Sequence, residues 1–92
     1  MIAAFVLIDA EPARIADLGG ALADIDGVVE AHSVAGDHDL VAVLRVADHE
    51  AIADVVTRRI ATLPGVRATR TLISFRLYSS ADLAAAYEDM DG

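Results

Sequence analysis

The sequence predicts an α+β fold made of two tandem strand–helix–strand units, and three observations carry that expectation. Short β-branched runs alternate with stripes of helical period. A Gly follows each stripe, in Asp26-Gly27 and again in Pro64-Gly65. The halves also repeat: a shift of 38 positions lays Phe5–Ile8 on Val43–Val46, Leu18 on Val56, Leu22 on Ile60 and Ile25 on Leu63. Two such units joined by a hairpin give the ferredoxin-like βαββαβ arrangement. Right-handed crossovers then put both helices on one face of a four-stranded antiparallel sheet.

Ile2–Ile8 is too short for a helix and rich in β-branched and aromatic residues, so it reads as the first strand. Asp9 offers an N-cap for the helix beyond it, with Glu11 and Pro12 in its first turn. Ile15, Leu18, Leu22 and Ile25 form the apolar stripe of that helix. Gly19-Gly20 interrupts it at a cost of about 2 kcal/mol in helix propensity, which close packing of helix on sheet would explain. Val28–Ala35 is the second strand, Gly36–Asp39 the hairpin turn and Leu40–Ala47 the third strand. Asp48 caps a second helix whose stripe is Ile52, Val55, Val56, Ile60 and Leu63. Val66–Tyr78 is a long fourth strand. Ser79 or Ser80 then caps a short C-terminal helix with Leu83, Ala84 and Tyr87, ending in an acidic tail. The domain is therefore expected over residues 1–78, with the helix and tail over 79–92.

Composition narrows the classes of function. The 92 residues are 55% hydrophobic, with a mean hydropathy of +0.47. Their longest apolar run, Met1–Ile8, falls well short of the roughly 20 residues that span a bilayer. It has no basic flank and leads into Asp9 and Glu11, unlike a secretory signal. A cytoplasmic homo-oligomer with no membrane partner is the expectation. A net charge of −8 repels a phosphate backbone, so direct nucleic-acid binding is not expected. With no cysteine there is no disulfide, thiolate nucleophile or Cys-based zinc site. The first and third strands are apolar on both faces, where a sheet with one wet face would alternate. Two such sheets are expected to pack face to face in a dimeric α/β sandwich or barrel.

The segments Ile25–Val29, Ala31–Leu40 and Leu63–Thr71 occur in an order that resembles the effector-binding domain of the Lrp/AsnC transcription regulators. That module is also called the regulation-of-amino-acid-metabolism (RAM) domain. The resemblance covers nearly the whole chain. It implies dimers that assemble into rings, commonly octamers of four dimers, with a small amino-acid effector held between dimers. The family's helix-turn-helix is not seen ahead of the first strand, which suggests a stand-alone form acting on its own assembly or on a full-length Lrp/AsnC relative.

An amino acid brings an ammonium and a carboxylate, so a site for it needs acceptors and donors. The Gly36–Asp39 turn offers carboxylates at Asp37 and Asp39 and backbone N–H groups. Thr69 and Thr71 lie two apart on one strand face and add hydroxyls. The resemblance gives ligand-binding roles to Gly36, Asp37, His38, Asp39, Thr69 and Thr71. The residues alone leave open a purely structural turn, with His38 solvated. Arg67, on the same strand, would meet an effector carboxylate or an acid of another subunit. His32, His38 and His49 match no metal-ligand spacing, and neither metal nor cofactor is expected. No nucleophile elbow or phosphate loop is present, so the chain is not expected to be an enzyme. Two other ferredoxin-like readings remain: an ACT-like amino-acid sensor, and a small dimeric α/β-barrel enzyme of monooxygenase type.

Overall fold

A computed structural model describes residues 1–80. The strands are β1 (Ile2–Ala10), β2 (Val28–Ser33), β3 (Leu40–Val46) and β4 (Val66–Ile73). Helix α1 (Ile15–Ala23) comes after a 3-10 turn at Pro12–Arg14, and α2 (His49–Asp54) runs into a π-helical segment at Val55–Ile60. The sheet order is β2-β3-β1-β4, and all three pairings are antiparallel. This is the ferredoxin-like fold. The C-terminal helix and acidic tail expected beyond Ser80 lie outside the described residues.

The internal repeat is visible in the backbone. Gly27 and Gly65 adopt φ of +95° and +97°, the left-handed conformation that ends a helix at least cost in glycine. Around them the same bonds recur 38 residues apart. Ile25 N–H donates to Leu22 C=O as Leu63 does to Ile60, and Val28 to Ile25 as Val66 does to Leu63.

The core lies between the helices and one sheet face. Ala4, Val6, Ile8 and Ala10 of β1 and Leu40, Ala42, Leu44 and Val46 of β3 are buried there, against Leu18 and Leu22 of α1 and Ile52, Val55 and Ile60 of the second helical segment. Burying one such aliphatic side chain contributes roughly 1.5–3 kcal/mol. The other face carries Phe5, Leu7, Val41, Val43 and Leu72, with no helix or strand of the described residues packed over it, and Phe5 is 40% and Leu72 50% exposed.

Four local expectations are corrected. Asp9 does not cap α1: β1 continues through it to Ala10, and the 3-10 turn intervenes, with Glu11 at its N-cap position making no side-chain cap bond. Both hairpin strands and β4 are shorter than expected, with β4 ending at Ile73 rather than Tyr78. The 3.6-residue stripe of the second helix widens to π geometry over Val55–Ile60, which turns both Val55 and Ile60 into the core. Gly19 and Gly20 do not provide close packing, because a Cβ at either would meet nothing within 4 Å. Asp48 does cap α2, accepting from Ala51 N–H at 2.8 Å.

Candidate functional site

The hairpin turn is held against the end of β1. Asp39 N–H donates to Ile8 C=O at 3.0 Å, and the Asp39 carbonyl accepts from Val34 N–H at 2.9 Å. The Asp39 side chain turns back, and its Oδ2 accepts from Ala10 N–H at 2.8 Å. Ala10 lies where the β1–β4 register shifts, so its N–H is taken by a side chain at an irregular point of the ladder.

His38 is not a solvated turn residue. Its Nδ1 donates to Asp9 Oδ1 at 2.8 Å, and its side chain is 24% exposed. Asp9 faces the open side of the sheet, so His38 reaches over β1 from the turn. Gly36 has φ of +137°, a conformation nearly confined to glycine. Asp37 is exposed at the tip. Among the described residues, the N–H groups of Gly36, Asp37 and His38 donate to no backbone carbonyl, which leaves them as donors for an anion.

Thr69 and Thr71 share a face, and register decides which one. Thr69 pairs with Ile8 and Thr71 with Val6, both buried beneath the helices, so the hydroxyls belong to the helix-covered side and are half-buried. Leu40 also pairs with Ile8, on the other side of β1. The turn and Thr69 therefore stand at the same end of the sheet, about 10 Å apart by two strand spacings, with Thr71 one pleat further in. Within one protomer β1 and β3 lie between the turn's strand β2 and the Thr strand β4. Arg67 falls at the register shift between Val66 and Ala68 and is exposed.

Beside the turn is a groove of about 530 Å³ between α1 and the β2–β3 hairpin, lined by Pro12, Ile15, Ala16, Gly19, Ser33 and Leu40, among others. Sequence reasoning missed it. Its one trace there is the pair Ala16 and Gly19, one helical turn apart, where a helix gives up propensity without filling space. Among the described residues no group of three or more His, Asp or Glu gathers as a metal would require. No described helix is long and apolar enough to cross a membrane.

A family model described as the Lrp/AsnC ligand binding domain matches residues 3–83. TTHA0845 from Thermus thermophilus is similar in structure, with a TM-score of 0.82 and 48% identity over 86% of this chain and 99% of that one. The feast or famine regulatory protein Rv3291c from M. tuberculosis, complexed with L-methionine, matches with a TM-score of 0.74 and 34% identity over 87% of this chain and 54% of its own. In sequence, the uncharacterised HTH-type transcriptional regulator PF0250 of Pyrococcus furiosus is 35% identical over 78% of this chain and 50% of its own length. The chain thus spans about half the length of the curated relatives it matches.

Proposed function

We propose that this chain, which belongs to the Lrp/AsnC ligand-binding domain family, binds a small amino acid or related metabolite where two of its dimers meet. One observation carries the reading. The hairpin turn presents free N–H donors beside a carboxylate, at the same end of the sheet as Thr69, in a family whose member Rv3291c is complexed with L-methionine. The Gly36–His38 N–H groups receive the effector carboxylate and Asp37 faces its ammonium. Thr69 and Thr71, too far from the turn in their own protomer, act on a ligand held by the turn of a neighbouring dimer.

Assembly follows from the same surfaces. The uncovered sheet faces pack together in the dimer, since an apolar patch of that extent is costly in water. That leaves the sheet ends and the α1 groove for contacts between dimers in a ring of four. Effector changes the assembly, or the association with a full-length Lrp/AsnC regulator, only to the extent that it binds one state better than the other.

Thermal-shift measurements over the proteinogenic amino acids test the site, repeated on Asp37→Asn and Thr71→Val, with the mass of the assembly measured with and without each hit. The expected result is a stabilising amino acid that changes the mass and loses its effect in both variants. A hit that survives both substitutions overturns the site, and no hit at millimolar ligand overturns the reading.

A further inference from the structure

β2 is one edge of the sheet, and among the described residues no strand lies beyond it. Two bonds that flank it fix which way its backbone points. Val34 N–H donates to Asp39 C=O at 2.9 Å, so His32 and Glu30, two and four residues back, also face β3. Arg45 N–H donates to Gly27 C=O at 2.9 Å, so Val43 and Val41 face β2, and these are the partners of Glu30 and His32. Both counts agree. Ala31 and Ser33 therefore turn their N–H and C=O groups outward, and groups so placed are a template for another strand.

The side chains decide what fits this edge. Glu30 and His32 are exposed on the open side of the sheet, whereas Ala31 lies on the helix side, opposite buried Ala42. The run Glu30-Ala31-His32 is self-complementary: laid antiparallel on itself about Ala31, it sets each glutamate opposite a histidine. Within one strand the two meet only loosely, His32 Nε2 lying 3.8 Å from Glu30 Oε2. The other edge of the sheet differs. β4 carries Arg67 and Arg70 and no acid, so two copies of it would bring like charges together. Ala16 and Gly19 of α1 line the groove above β2 with Ala31 and Ser33, and a Cβ at Gly19 or Gly20 would meet nothing within 4 Å. The helix thus leaves space beside the edge.

We propose that β2 is the contact between dimers: it pairs antiparallel with the β2 of a second copy, about a two-fold axis at Ala31, and joins two sheets into one. Ala31 N–H and C=O then exchange bonds with their counterparts. Glu30 falls in the closer, non-hydrogen-bonded pair with the partner's His32, and the axis makes that contact twice. The proposal rests on the face-to-face pairing above. One edge of six residues is a small contact, and it holds because each dimer presents two of them to a closing ring. It also goes beyond that pairing, since it uses the edge of the sheet and not its open face.

The test is the mass of the full chain by sedimentation over a concentration series, with thermal melts alongside. Wild type is expected above the mass of a dimer. Ala31→Pro removes an N–H that bonds nothing within the sheet, and proline is tolerated where an edge N–H faces outward. That variant should fold and stop at the dimer. Glu30→Lys sets a lysine opposite the partner's His32 and should also stop at the dimer, while Glu30→Lys/His32→Glu restores opposite charges and the larger mass. The charge series changes only exposed residues and decides the matter if the proline variant fails to fold. An unchanged mass in Ala31→Pro, no rescue by the double variant, or a wild type that is only a dimer overturns the edge pairing and leaves the face-to-face dimer standing. A lowered melting temperature at unchanged mass would assign the edge to the chain's own residues 81–92 and overturns it as well. A monomeric wild type overturns both contacts.

Discussion

The Asp39 carboxylate accepts from Ala10 N–H at 2.8 Å, tying the hairpin turn to the end of the first strand across 29 residues of sequence. A side chain that draws notice for its charge is thus also a structural clasp. Asp39→Ala leaves a partly buried N–H unpaired at a register shift and is expected to cost about 1–3 kcal/mol. Asp39→Asn keeps an acceptor and should recover part of that loss. Urea midpoints of the three proteins read this directly, and equal midpoints would mean that Asp39 clasps nothing.

His38 and Asp9 form a second tie beside the first, at 2.8 Å. Asp9 is 42% exposed, so solvent screens the pair and a coupling of only about 0.5–1 kcal/mol is expected. A double-mutant cycle with His38→Ala and Asp9→Ala measures it. Additive effects would mean that the contact contributes no stability of its own.

Two glycines should respond in opposite senses to the same substitution. Gly20→Ala, in the helix with nothing within 4 Å of the added Cβ, should stabilise the isolated fold by about 0.5–1 kcal/mol. Gly65→Ala puts a Cβ at 2.7 Å from Arg14 Cβ at a φ of +97° and should destabilise by at least about 1 kcal/mol. Thermal melts of both variants decide the matter; a destabilised Gly20→Ala would show that something approaches the helix there in the assembled protein.

Phe5 lies at the middle of the open face, opposite Val43 on one side and Leu72 on the other. Phe5→Glu sets a charge into the proposed sheet-to-sheet contact without touching the helix-side core. Light scattering should then report a folded monomer, whereas an unchanged oligomer would place the subunit contact elsewhere.

Much of the fold was legible because it depends on local chemistry. Asp48 caps its helix because a carboxylate at that position reaches Ala51 N–H wherever the helix sits. Gly27 and Gly65 end their helices in the same left-handed conformation. Asp9 illustrates the opposite case. An Asp ahead of a Pro-containing first turn looks like a cap, but in the folded chain β1 extends through it and His38 takes its carboxylate. The candidate site was legible residue by residue and not as a geometry. Alternation puts Thr69 and Thr71 on one face, whereas only their pairing with Ile8 and Val6 says that the face is the helix-covered one.

The sequence by itself determined the order of elements, the internal repeat, the glycine-terminated ends of both helices and the apolar character of both faces of two strands. These follow from periodicity, capping and backbone preference, which act within a few residues. Tertiary structure alone decided that Asp39 clasps β1, that His38 meets Asp9, that Gly19 opens a groove rather than closing a contact, and that β4 stops at Ile73. Each of those depends on register and on which surface faces which, and register is set by pairing between residues tens of positions apart.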